Sequence, residues 1–404
     1  MSHTEMSNDQ HQPLTGLTVL DMGQIYNGPY CGYLLAMAGA RVIKIESPIG
    51  ETLRGAERAT GEGYPFIMLN GNKETITLNL KSERGQELLK ALVQHADVLL
   101  ENYAPGTMAK YGVGGDDLTA INPRLIYAAA TGFGQQGPHS DYRAMDVTVQ
   151  AMSGVVAITG YEDEPPLKSG PALCDILGGV HLYSAIVTAL LRRATTGEGA
   201  VLDVSMQDSV IPTLCSALGA YYRFGDDPPR VGNHHQAKAV APYNIYATRD
   251  GHVAIICIRE GHWRKLLKAM KRQDLADDER FANMATRSEN MELTDHVVES
   301  WSRTLNTSEV FEICQAHEVI CAPVQSISDV LSDQHLISRG ALQKLEHPEL
   351  GPLMIPSTPL RFQGLHPPAV QLPRAIGEDN EAVYGELLGI GADDVKALKQ
   401  ASAI

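Results

Sequence analysis

One side chain in this sequence whose type and position could do chemistry is Asp175. It lies in Gly170-Pro-Ala-Leu-Cys-Asp175-Ile-Leu-Gly-Gly179, immediately before an apolar helix expected over Val180 to Arg193. The plainest role is an N-cap or first-turn carboxylate, worth ~1 kcal/mol. The same position suits a carboxylate nucleophile. Free N–H groups at a helix start are expected to keep the group ionised at neutral pH, and Gly178-Gly179 to leave room for a substrate to approach. A second candidate is Asp21-Met-Gly-Gln-Ile-Tyr-Asn-Gly-Pro29, a strand, a glycine turn and a helix start. Gly23 and Gly28 are five apart and no GxGxxG occurs there, so a dinucleotide site is not expected. Free N–H groups beside Tyr26 and Asn27 remain able to accept an anionic or carbonyl oxygen.

Two further stretches carry polar groups in suggestive places. Asn102-Tyr-Ala-Pro-Gly106 directly follows a strand at Val98 to Leu100, where ligands bind in open α/β sheets, although an ordinary turn reads equally well. Arg230-Val-Gly-Asn-His-His235 sets two histidines in a glycine-containing loop. No further ligand stands at helical spacing from His234 and His235, so a metal site is not expected there, and a solvated loop between domains is the simpler reading.

These residues need elements to hold them, and the first half of the chain supplies an alternation of strands and helices. Leu17 to Asp21, Val42 to Glu46, Val98 to Leu100 and Leu125 to Tyr127 read as strands; Ile76, Leu78 and Leu80 alternate; Pro29 to Met37 and Glu83 to His95 read as helices. Strands separated by helices of this length predict βαβ units and an α/β fold with a doubly wound parallel sheet. The pattern changes at Phe224-Gly-Asp-Asp-Pro-Pro-Arg230, after which a smaller α+β domain is expected, with helices around Trp263 to Met270 and Glu289 to Trp301. The Pro- and Gly-rich chain from Cys321-Ala-Pro323 onward ends in helices near Glu378 to Leu388 and Asp393 to Ala401. The expected organisation is a large domain over 14–224, a small domain over 225–322, and a return segment over 323–404 that completes the large one.

Composition narrows the function classes. The 404 residues are 44% hydrophobic and 20% charged, which is globular, and 33 Lys+Arg against 48 Asp+Glu give a formal charge of −15. No Lys/Arg-rich run offers a footprint for nucleic acid or an anionic membrane. No run of ~18 apolar residues is present, and the N-terminal MSHTEMSNDQHQP reads as a frayed polar tail, neither signal peptide nor anchor. Six dispersed cysteines without a CxxC pair point to reduced, buried thiols in a cytoplasmic protein.

Taken together, LTGLTVLDMGQIYNGPY, AGARVIKIE, NLKSERG, ADVLLENYAPG, DVTVQAMSGVVAITG, CDILGGVHLYSAIVTALL and TGEGAVLDVSMQDS resemble the family III coenzyme A transferases, the group containing formyl-CoA transferase and carnitine CoA-transferase. The resemblance runs from about Leu14 to the C-terminus. It implies a Rossmann-like large domain built from both chain ends, a small middle domain, and a homodimer whose chains interlock. It also implies that Asp175 is the nucleophile: attack on an acyl-CoA thioester, return of the thiolate to give an aspartyl-CoA thioester, then transfer to an incoming acid. No permanently bound cofactor is implied, since CoA is substrate.

Carried over position by position, the resemblance places Tyr26 and Asn27 near the CoA thioester. Leu78 to Lys81 and Asn102, Tyr103 and Ala104 fall at the adenine and ribose, Lys110 at a phosphate, and Tyr142, Arg143 and Met145 at the pantetheine arm. The sequence departs from formyl-CoA transferases at Tyr26, where they carry glutamine, at Ser47, where they carry arginine, and in lacking their glycine run near Gly232-Asn-His-His235. By family analogy the donor is succinyl-CoA and the acceptor a small acid such as itaconate, mesaconate, malate or glutarate. Arg54 and Arg58 could pair a second carboxylate, though solvated loop arginines are the plainer reading. The α-methylacyl-CoA racemases are the nearest alternative, but they carry histidine where Met145 stands here. A non-catalytic acyl-CoA-binding protein would need no nucleophile at Asp175.

Overall fold

The computed structural model describes residues 12–55 and 63–404; the rest of the polar N-terminal stretch and Arg58 lie outside the described residues. The chain divides into two compact units. The first takes Pro171–Val210 and Asp333–Ile404 together with the chain up to Gln150, and the second takes Ala151–Gly170 and Ile211–Ser332. These boundaries differ from those read in the sequence. The change of unit falls at Val210, ahead of the Pro-rich linker, and the return begins at Asp333 rather than at residue 323. Hydrophobic patterning marks elements and not which element packs on which, so the 151–170 excursion carries no signal in sequence.

The first unit is built on a six-stranded parallel sheet of β1 (Thr18–Met22), β2 (Arg41–Glu46), β3 (Glu74–Thr77), β4 (Val98–Glu101), β5 (Ile126–Thr131) and β6 (Ala200–Ser205), in the order β3-β2-β1-β4-β5-β6. The inner strands are near-continuous apolar runs because both faces are covered: β4 and β5 are buried throughout, whereas the edge strand β6 is partly open along its length. One face packs Leu20, Ile43, Leu99 and Tyr127 against Leu88, Leu92, Val383 and Tyr384. The other packs Val19, Val42, Leu100 and Ile126 against Cys31, Leu35, Leu182 and Ile186. The last two belong to a 24-residue helix, Leu173–Thr196, that is long and apolar enough to cross a membrane by length and composition. Here its apolar inner side lies on the sheet.

The return segment closes the open edge of the sheet with side chains instead of a strand. The Thr75 N–H donates to Asp379 Oδ2 at 2.8 Å, the Thr77 N–H donates to Asn380 Oδ1 at 2.9 Å, and the Tyr384 hydroxyl donates to the Thr77 carbonyl. An edge strand left with free N–H groups would invite pairing with another chain. Its Pro- and Gly-rich stretch also forms a hairpin of β10 (Leu342–His347) and β11 (Gly351–Pro356) that sequence periodicity did not reveal. The second unit holds a three-stranded antiparallel sheet of β7 (Tyr243–Ala247), β8 (His252–Ile256) and β9 (Ile320–Pro323), packed under Trp263, Leu266, Val298 and Val310. All six cysteines are free thiols; five are buried, and Cys215 is exposed, against expectation.

Candidate active site

Every strand of the parallel sheet ends on the same edge, and the order reverses direction between β1 and β4, the position at which ligands settle in such sheets. The loop after β1 is held rigidly there. Asn102, just beyond β4, spans the gap: its Oδ1 accepts the Gln24 N–H at 2.7 Å and its Nδ2 donates to the Gln24 carbonyl at 2.9 Å. Beneath the loop, the Lys44 ammonium pairs with Glu51 at 2.8 Å and donates to the Gly23 carbonyl, both side chains fully buried. Glu51 Oε1 accepts the Ile25 N–H at 2.7 Å. Ile25 has φ of 65°, a left-handed conformation that costs a β-branched residue of order 1–3 kcal/mol and persists only where neighbours impose it. Lys73 and Asp21 form a second buried pair at 2.7 Å. Gly23 and Gly28 pack directly on each other, since a Cβ on Gly23 would lie 2.7 Å from the Gly28 backbone. The glycines therefore serve the turn itself, and Tyr26 and Asn27 emerge from it at the start of the helix Asn27–Met37.

Asp175 is the third residue of the Leu173–Thr196 helix, not the residue before it, and makes no capping bond. The cap comes from elsewhere in the chain. Asp146 Oδ1 accepts the N–H of Cys174 at 2.8 Å and of Asp175 at 3.1 Å. This overturns the expectation that the helix start keeps Asp175 ionised. Its nearest N–H groups are committed to Asp146, the side chain is 9% exposed, and burial first and the Asp146 charge second push its carboxyl up to about 7. The glycine reading changes as well. A Cβ on Gly179 would stand 2.7 Å from the Asn27 carbonyl oxygen and 3.3 Å from Tyr30, and one on Gly178 would stand 2.2 Å from Asn27 Nδ2. The Gly-Gly pair admits the neighbouring helix, and the space is already filled.

Tyr26, Asn27, Leu78, Asn102, Tyr103 and Ala104 follow β1, β3 and β4 on this one edge. Leu78 is buried, Tyr26, Asn102 and Tyr103 are half-buried, and Ala104 is exposed. Tyr142, Arg143 and Met145 are exposed and lead into Asp146, with the Tyr142 ring stacked on His139 at 4.8 Å between centroids. Lys81, Lys110 and Arg143 are all exposed, and among the described residues no ion pair joins them. Ser47 is exposed, with its hydroxyl donating to the Gly50 carbonyl.

Arg54 is not a solvated loop arginine, nor free for a second carboxylate. It is buried, grips Glu46 through Nε and Nη2 at 2.8 and 2.7 Å, and lies 4.2 Å over the Phe66 ring. His234 and His235 belong to the second unit. There His234 Nε2 meets Asp295 at 2.7 Å, and that contact raises its pKa. Asp295 also takes bonds from Asn244 and Tyr246, so His234 is a member of a half-buried polar cluster and not a freely solvated loop side chain.

Two carboxylates were not picked out as site residues in the sequence. Asp146 opens a short helix and the stretch DVTVQAMSGVVAITG, but nothing local tied it to Asp175. Glu101 ends β4, where a charged residue closing an apolar strand at the binding edge was a usable signal. It accepts the Tyr103 N–H at 2.7 Å and the Tyr127 hydroxyl at 3.1 Å, and burial still pushes it up to about 7 against both bonds. It lines a cavity of about 420 Å³ with Ala104, Tyr127, Gln135 and Asp203.

Comparison with known proteins agrees with this architecture. Residues 14–380 match the sequence profile of CoA-transferase family III. A formyl-CoA:oxalate CoA-transferase of Streptomyces coelicolor is 36% identical, over 97% of this chain and 99% of its own. A succinyl-CoA–D-citramalate CoA-transferase of Chloroflexus aurantiacus is 33% identical, over 96% and 97%. Among solved structures, a CAIB/BAIF family protein of Brucella suis superposes with a TM-score of 0.83 at 33% identity, over 94% of this chain and 100% of that one.

Proposed function

We propose a specific reaction on the premise that this chain belongs to CoA-transferase family III and is a CoA-transferase: it moves CoA from an acyl-CoA to a small carboxylic acid through a thioester on Asp175. The observation that carries the reading is the setting of Asp175. It is a buried carboxylate on the binding edge of the sheet, with its neighbouring N–H groups held by Asp146 and its pKa near 7. A carboxylate with a raised pKa is a stronger nucleophile once ionised, and at neutral pH about half of it is ionised. Asp175 attacks the thioester carbon and expels the CoA thiolate, leaving a mixed anhydride. The thiolate then attacks the aspartyl carbonyl and expels the original acid, and the incoming carboxylate reverses both steps.

CoA binding on this reading uses Tyr26 and Asn27 near the thioester, Leu78, Lys81 and Asn102 to Ala104 around the nucleotide, Lys110 at a phosphate, and Tyr142, Arg143 and Met145 along the pantetheine. Three exposed cations oppose a whole-chain charge of −15, so attraction must be local and sensitive to salt. Succinyl-CoA is the proposed donor, as in the Chloroflexus relative's name; Tyr26 and Ser47 argue against a formyl or oxalyl acid. An interlocked homodimer without a permanent cofactor, in the cytoplasm, belongs to the same reading.

Incubation of the enzyme with succinyl-, acetyl- and formyl-CoA in turn, followed by borohydride or hydroxylamine and peptide mass mapping, is expected to mark Asp175 with at least one donor. Turnover without any mark on Asp175 refutes the proposal.

A further inference from the structure

Asn27 is 2% exposed, and neither its side-chain oxygen nor its side-chain nitrogen has a hydrogen-bond partner among the described residues. Leaving an amide buried and unpaired costs of order 1–3 kcal/mol, so such a group calls for a use. Its location is informative. Nδ2 occupies the position where a side chain on residue 178 would begin, 2.2 Å from the Cβ that Gly178 lacks. In a helix, side chains tilt toward the N-terminus, so a residue covers the turn before its own Cα. The turn before Gly178 carries Asp175, three residues earlier and on the same face. The Asn27 amide thus lies over the Asp175 turn, in space that glycine alone leaves open. The Asp175 carboxyl accepts no hydrogen bond among the described residues either. The orphaned Asn27 amide and the Asp175 carboxyl thus stand toward the same face of that helix.

Resting on the reading of Asp175 as nucleophile, we propose that the Asn27 side-chain amide is a catalytic residue of the transfer, donating from Nδ2–H to the oxygen that becomes negative on the aspartyl carbon. When the CoA thiolate attacks the anhydride, a C–S bond forms at that carbon and the C=O electron pair moves onto its oxygen. Asn27 Nδ2–H stabilises that oxyanion; the pair then returns to re-form C=O as the C–O bond to the departing carboxylate breaks. The amide has no hydrogen bond to another protein group to give up when it acts, and it closes on the Asp175 oxygen as charge develops there. The orphaned donor is thereby satisfied in the transition state and not in the resting enzyme, which is the condition for a gain in kcat instead of tighter ground-state binding.

The test pairs Asn27→Leu, close in volume and without a donor, with Asn27→Ala. Both are assayed for the rate of Asp175 thioester formation, using whichever of succinyl-, acetyl- or formyl-CoA marks Asp175 in the unaltered enzyme. Loss of one oxyanion donor is expected to slow kcat and thioester formation about 100-fold with KM nearly unchanged. Asn27→Leu is expected to be no less stable to urea, since an unpaired buried amide has been removed. A merely structural amide would give the opposite pattern, lower stability at an unaltered rate, and that result overturns the inference, as does a wild-type rate in folded Asn27→Ala should Asn27→Leu fail to fold. If Asp175 in the unaltered enzyme is never marked, the failure lies with the nucleophile and not with Asn27.

Discussion

Replacing Asp146 by asparagine separates the two causes that raise the Asp175 pKa. The carboxyl stands at about 7 against an ordinary 3.8, a displacement of about three pH units, or on the order of 4 kcal/mol in favour of the neutral form. Burial is the larger cause and the Asp146 charge the smaller. Neutralising residue 146 should therefore remove less than half of the displacement, about one pH unit, equivalent to about 1.4 kcal/mol. Asparagine keeps an oxygen for the N–H groups of Cys174 and Asp175, and the Gln150 amide that now donates to Asp146 Oδ2 at 2.6 Å can turn to offer its own oxygen. The helix cap should survive while the like charge disappears. The assay is kcat/KM for Asp175 thioester formation between pH 5 and 9, which reports the free enzyme. In the unaltered protein it should rise through a pKa near 7; in Asp146→Asn the midpoint should fall to about 6, raising the rate at pH 5 severalfold. A midpoint that stays in place or moves upward refutes the electrostatic argument. A flat profile in both proteins refutes ionisation of Asp175 as the controlling event.

Other expectations follow from the same geometry. A carboxyl with a raised folded pKa supports the fold below pH 4 and loses that support as pH rises through about 7. Asp175→Asn should accordingly gain up to a few kcal/mol in urea unfolding at pH 8 and nothing at pH 4. Asp175→Ala should show no CoA transfer in a thioester-exchange assay while remaining folded by near-ultraviolet circular dichroism. Arg54→Ala leaves the Glu46 carboxylate buried without its partner, so urea unfolding should show a loss of about 3–5 kcal/mol. Gly179→Ala should destabilise by about 1–3 kcal/mol despite alanine's better helix propensity, because its Cβ meets backbone of the facing helix. Gly178→Ala, whose Cβ meets the side chains of Asn27 and Met206 and no backbone, should cost less in the same measurement.

Much of the parallel sheet could be read directly from the chain. The apolar strands at Thr18–Met22, Arg41–Glu46 and Val98–Glu101, and the helices between them, carry their period in sequence because a doubly covered strand has no use for polar residues. The edge at which the strands end was equally legible, since Asn102 directly follows one strand and Tyr26 lies in the loop after another. Local sequence also singled out Asp175. It misread what surrounds that residue: the cap is Asp146, 29 positions away, and the room beside Gly178 and Gly179 belongs to Asn27 and Tyr30. Arg54 was misread for the same reason, as its partner Glu46 and the Phe66 face below it are set by the fold. Residue type, period and spacing determined the strands, the edge and the place of Asp175 at a helix start. Only tertiary structure decided its protonation, the use of the glycines and the unpaired amide beside it, because desolvation and hydrogen-bond satisfaction depend on neighbours brought together through space.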